Sequence, residues 1–152
     1  MARNPVVYVG SAVLVLVGIV VGALLTMTHP PKPKQWPPVS RAEAEALFLQ
    51  TARLAEAGEY DTICQYIAEI QEECQSFVKD TVVYSHWVPG TELPQIVGGA
   101  YRDGQDPRFM LRIKGVRLDG TTYYADFDAE RRSSDGRVVS RIPVFWSGVT
   151  QG

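Results

Sequence analysis

The stretch FMLRIKGVRLDGTTYYADFDA, from Phe109 to Ala129, decides the fold. Apolar and polar residues alternate on both sides of Asp119-Gly120, and Asp-Gly suits the positive backbone angles of a tight type I′ turn, so the stretch reads as a β-hairpin. A two-residue turn pairs Leu118 with Thr121 and Val116 with Tyr123. Carried on unbroken, that register would set Ile113 opposite Asp126. One extra residue, a β-bulge at Gly115, instead sets Ile113 opposite Ala125, Leu111 opposite Phe127 and Phe109 opposite Ala129. Together with Val116 and Tyr123, these six residues make an apolar inner face. The outer face receives Arg112 against Asp126 and Met110 against Asp128.

Working outward, period-two patterning and β-branched content predict four or five strands. They lie near Thr81 to Val88, Gln95 to Arg102, Arg108 to Leu118, Thr121 to Arg131 and Arg137 to Trp146. Upstream the period is helical. Ser40-Arg41-Ala42-Glu43 is a capping box, Ala44, Leu47, Phe48, Thr51, Leu54 and Ala55 make one apolar stripe, and Gly58 is placed to end the helix. Asp61 is expected to cap a short helix holding Ile63, Cys64 and Ile67, and a third short helix follows through Cys74, Phe77 and Val78. The expected class is α+β, with about three helices packed on a curved antiparallel sheet.

A different signal precedes this domain. Val6 to Met27 carries no charged residue. About 22 residues at 1.5 Å rise make a helix of roughly 33 Å, enough to cross a hydrocarbon core. A cleaved signal peptide, with Val21-Gly22-Ala23 as its small-residue end, is the alternative, but the run exceeds a signal core. A strict count of the positive charges flanking the run, Arg3 and the amino terminus against His29, Lys32, Lys34 and Arg41, favours the reverse topology. Because large domains translocate with little regard to charge, the N-terminus is placed in the cytoplasm and the domain outside, at the cell membrane. Gly18 and Gly22 make a G-x-x-x-G step, with Ser11 about two turns earlier, a face that lets another helix approach closely. The expected organisation is thus a tail over 1–5, a single membrane span over 6–27, a Pro-rich linker over 28–40, an extracytoplasmic domain over 41–148 and a tail over 149–152. The linker prolines favour polyproline II, with a reach of up to roughly 40 Å.

Charge excludes one class of partner. The chain holds 15 Lys and Arg against 17 Asp and Glu, with no basic stripe, so nucleic acid is not expected. In an exported domain Cys64 and Cys74 read as one disulfide, worth about 2 to 3 kcal/mol on the entropic model; two buried free thiols are the alternative. No metal site is expected, because His29 falls in the linker and His86 stands alone. Neither Gly98-Gly99 nor Gly115-Val116 forms a phosphate-binding loop followed by a helix, and no cofactor is expected.

Three helices followed by a curved antiparallel sheet resemble the NTF2-like, or cystatin-like cone, superfamily. The cysteine pair, the Tyr101-Arg102-Asp103-Gly104 turn, Lys114 to Gly120 and the closing Pro143-Val144-Phe145-Trp146-Ser147-Gly148 resemble its small membrane-anchored actinobacterial members. The arrangement of tail, span and exported domain is more distantly similar to VirB8-type scaffold subunits. Some members of the superfamily are enzymes of isomerase or dehydratase type that place an acid, a base or a tyrosine inside the cone. In this chain the inward positions are nearly all apolar and Asp126 and Asp128 alternate outward, so the resemblance implies no catalytic residue. Tyr84, His86, Trp87 and Tyr123 remain as candidate pocket residues. The expected function is that of a non-catalytic scaffold or accessory subunit of a membrane or cell-envelope assembly. Its partner is a membrane protein or a second copy, bound through the Gly18/Gly22 face, the outer face bearing Arg112, Asp126 and Asp128, or the open sheet edge. The alternative is a small apolar ligand in the cone, bound or turned over there.

Overall fold

A computed structural model describes residues 35–104 and 107–150. The expected tail and span, with Ser11, Gly18 and Gly22, lie outside the described residues, as do most of the linker and the end of the C-terminal tail. Among the described residues, no helix is long and apolar enough to cross a membrane.

Helix α1 spans Arg41–Glu56. The capping box is present: Ser40 Oγ accepts the Glu43 amide while the Glu43 carboxylate accepts the Ser40 amide at 2.9 Å. Gly58, at φ +73°, turns the chain out of the helix. Helix α2, Tyr60–Tyr66, begins one residue before Asp61, and its N-cap position is Glu59 with no side-chain cap. Asp61 therefore sits in the first turn, where its charge faces the helix dipole, rather than at the cap. Helix α3 spans Gln71–Val78. Cys64 and Cys74 form the disulfide that joins α2 to α3.

The strand expected over Thr81 to Val88 is absent. Helix α3 runs on into a π-helical turn, Lys79–Tyr84, closed by the Ser85 amide on Asp80 O. Thr81 Oγ1 bonds back to the carbonyls of Phe77 and Val78, so a residue with strand preference is consumed by the preceding helix.

The sheet is antiparallel with order β1-β2-β3-β4. Strand β1, Gln95–Arg102, has the expected limits, and β2 and β3 cover Arg108–Val116 and Thr122–Arg131. Ile113 opposes Ala125, Leu111 opposes Phe127 and Phe109 opposes Ala129, as the alternation predicts. The extra residue, however, is not at Gly115. It lies in the turn, where the Gly120 amide bonds Arg117 O, Gly120 takes φ +85° and the Arg117 amide bonds Thr121 O. This three-residue loop is a type I turn closed by a left-handed glycine, fixed by Asp119 Oδ1 accepting the Thr121 amide at 2.8 Å. The ladder thus runs unbroken from Phe109 to Val116, and Val116, expected inward, is 42% exposed. The sheet's one register shift falls instead between Ile96 and Gly98 of β1.

Of the strand expected over Arg137 to Trp146, only Val138–Val139 pairs with β3, as β4. Beyond it the amides of Arg141 and Ile142 are taken by the Asp128 carboxylate, Pro143 has no amide to offer, and Phe145–Ser147 forms a 3₁₀ turn closed by Gly148 at φ +79°. The side of β4 away from β3 is occupied: Ser140 donates to Ile67 O and Glu69 donates to Ser140 O, extending the sheet by a short parallel bridge at Ala68.

Helix α1 lies over β2 and β3, and their shared core is filled. Phe48 meets Phe127 and Phe145 edge-on, each with ring centroids 5.3 Å apart, and Phe145 meets Trp146 at 5.1 Å. Folded structure reaches upstream of the helix cap as well. The Trp36 ring covers Gly136, its Nε1 donates to Ser133 O at 3.2 Å, and Val39 is buried. Arg131 then joins three segments, donating to Pro37 O, Gly136 O and Glu43 Oε1.

Candidate functional site

Of the four candidate pocket residues, two come together. Tyr123 points from β3 onto the inner face beside Gly115, and its hydroxyl fills the space a side chain there would need: a Cβ on Gly115 would lie 2.3 Å from Tyr123 Oη. Trp87 reaches the same place from the loop that Pro89 and Gly90 pin to β2 through the Gly90 amide on Val116 O. Between them stands Arg117, which the sequence reading did not single out. Its guanidinium carbon lies 4.5 Å from the Trp87 ring centre and 5.3 Å from that of Tyr123.

Arg117 is 9% exposed, and its hydrogen bonds go to carbonyls rather than to a carboxylate. Nε donates to Trp146 O at 2.9 Å and Nη2 to Ser147 O at 3.1 Å. Those oxygens belong to the 3₁₀ turn, whose own amides point the other way, so the cation meets the negative end of a short dipole as well as two aromatic faces. The arrangement holds the closing turn against the hairpin. Burial pushes the Tyr123 phenol up, with the Arg117 charge opposing, so this hydroxyl stays protonated through the physiological range.

The other two candidates do not join this group. Tyr84 is 65% exposed on the π-helical turn with the Lys79 ammonium 5.6 Å from its ring centre, and His86 is an exposed loop residue at φ +58°.

The outer-face carboxylates are less open than their alternation suggests. Asp126 pairs with Arg112 at 2.7 Å and is nearly covered, and Asp128 is 0% exposed. Asp128 accepts from Ser140 Oγ at 3.0 Å and from the Arg141 and Ile142 amides, so it serves the chain after β4 in place of a further ladder. Glu130, the next residue on that face, meets Arg141 at 2.9 Å. Among the described residues, no group of His, Cys, Asp or Glu could hold a metal ion.

Strand β1 is the contrast to this closure. It bonds β2 along one edge, and among the described residues no strand pairs with its other edge. Val97 and Tyr101 are exposed along it, and Gly98, Gly99 and Ala100 keep its faces low. Such an edge presents free ladder donors and acceptors.

No family model, no curated protein and no solved structure matches this chain.

Proposed function

We propose that this chain is a membrane-tethered, non-catalytic interaction module of NTF2-like type, serving as scaffold or accessory subunit of a membrane or cell-envelope assembly. The observation that carries the reading is β1: an edge strand, Gln95–Arg102, with no strand on its outer edge among the described residues, in a domain whose other sheet edge is bridged by Ile67 to Glu69. A second polypeptide adding a strand there would satisfy the ladder groups, with Val97 and Tyr101 supplying apolar contact. The partner is another membrane-anchored subunit. The interior favours surface recognition over cone chemistry, since Phe48, Phe127, Phe145 and Trp146 occupy it.

The run over 6–27 supplies the tether, with the N-terminus cytoplasmic and the domain outside. On the folded side the chain is already held at Trp36, whose Nε1 donates to Ser133 O.

The test is gentle detergent extraction of the tagged full-length protein from its native membrane, with identification of what co-purifies. A stoichiometric membrane partner is expected. Its loss in a Gly18→Leu plus Gly22→Leu variant would place part of the contact in the span, and self-association alone would make the partner a second copy. Purification of a lone monomer would overturn the reading and redirect attention to a small apolar ligand.

A further inference from the structure

Where the disulfide-closed loop meets the sheet, one guanidinium serves two carboxylates. Glu130, on the outer face of β3, is 6% exposed, and its oxygens lie 3.0 and 2.9 Å from Arg141 Nε. Glu69 Oε2, from the loop between α2 and α3, lies 3.2 Å from the same nitrogen. That nitrogen carries a single hydrogen, so it cannot serve both carboxylates fully.

Further charged groups surround the three side chains. Arg108 is the β2 register partner of Glu130. Arg132, at the end of β3, is turned to the Ala68 and Glu69 carbonyls through Nη2 and to Asp135 through Nη1. Asp128 is two residues back on the Glu130 face and engaged with Ser140, Arg141 and Ile142. Glu73 of α3 lines the same hollow as Glu69, Ile70 and Arg141. A buried carboxyl beside a second carboxylate favours its neutral form, because both burial and the like charge oppose ionisation.

We propose that Glu130, buried beside Glu69 and bound with it to Arg141, forms an acid-closed latch that holds the disulfide loop on the sheet edge and loosens above neutral pH. The seam it controls is the pair of backbone bonds from Ser140 to Ile67 O and from Glu69 to Ser140 O. The loop carries Tyr66 and Ile70, both exposed, so opening the seam alters the apolar surface it presents. Burial, reinforced by the hydrogen bond to Glu69 and opposed by Arg141, pushes the Glu130 carboxyl up to about 7. A carboxyl raised in the closed state binds its proton more tightly there than in the open state. The closed state is therefore favoured at acid pH, and the advantage is lost as pH rises through 7.

Amide hydrogen exchange on the full chain in detergent micelles tests this. The protection factors of the Glu69 and Ser140 amides should fall about tenfold between pH 6 and 8 if the open-state carboxyl titrates near its ordinary value. The Arg117 amide, at the other end of the sheet, should hold its protection. Glu130→Gln, a fixed mimic of the protonated acid, should flatten the dependence, and Glu69→Gln should move it to lower pH. Flat protection in the wild type, or an unchanged slope in the variants, would overturn the proposal; if Glu130→Gln does not fold, Glu69→Gln alone decides.

Discussion

Strand β3 ends in two buried charge clusters of opposite design. At the hairpin end, a cation is held by carbonyl oxygens and aromatic faces, with Trp87, Tyr123 and the 3₁₀ turn around Arg117. At the β4 end, carboxylates are held by arginines and amides, with Glu130 and Asp128 facing Arg141, Ser140 and the Glu69 loop. A guanidinium does not titrate in any accessible range, so the first cluster is indifferent to pH. The second changes its charge near neutrality. Two solutions to burying charge on one strand thus give one rigid end and one adjustable end.

The comparison can be broken first at its rigid end. Arg117→Ala leaves the Trp146 and Ser147 carbonyls without their donor and opens a gap between two rings, with an expected loss of about 3 kcal/mol. Urea unfolding at pH 5 and pH 8 should show the same loss at both. Arg117→Lys should recover little, because one ammonium cannot replace a fork that reaches two carbonyls and stacks between two rings.

At the adjustable end, Cys64→Ser plus Cys74→Ser removes the covalent closure of the latch loop and should cost about 2 to 3 kcal/mol. The effect sharpens the comparison if exchange of the Glu69 amide rises while that of Arg117 does not. Gly115→Ala returns to the hairpin end. Its Cβ would clash with the buried Tyr123 ring and hydroxyl, so a loss of about 2 kcal/mol is expected in thermal unfolding, with the Arg117 stack disturbed along with it.

The smallest effect is at the start of α1. The Ser40 amide, then Arg131, hold the Glu43 carboxyl down at about 2. Lowered in the fold, this group contributes stability above its ordinary value, lost as pH falls from about 4.5 toward 2. Its side chain is 41% exposed, so solvent screening limits the contribution to about 0.5 kcal/mol. Glu43→Gln should therefore reduce stability slightly at pH 7 and not at all at pH 2. The sign is opposite to that of Glu130.

Patterning made the centre of the molecule legible and its ends obscure. The ladder from Phe109 to Ile113, the capping box at Ser40 and the pairing of Cys64 with Cys74 follow from alternation, local hydrogen bonding and cysteine count. Arg117 did not, for a definite reason. Keeping Val116 inside required a bulge at Gly115, whereas an uninterrupted period of two from Ile113 carries Gly115 and then Arg117 inward. An inward arginine looks wrong until Trp87 and the Trp146 carbonyl, each about thirty residues away, are brought to it. The π-helical turn at Lys79–Tyr84 and the loss of strand after Val139 share that origin: a side chain elsewhere, Thr81 toward Phe77 or Asp128 toward Ile142, takes the hydrogen bonds that strand formation would have used. The span, with Gly18 and Gly22, belongs to residues outside those described and rests on composition alone.

The most direct measurement for the interaction reading is co-purification of the full-length protein from its native membrane with Val97→Lys plus Tyr101→Lys beside the wild type. Both side chains are exposed, so circular dichroism and melting temperature should be unchanged while charge now guards the open edge of β1. The account predicts a stoichiometric membrane partner with the wild type and its loss from the folded variant. Equal recovery of the partner with both proteins would contradict recognition through β1.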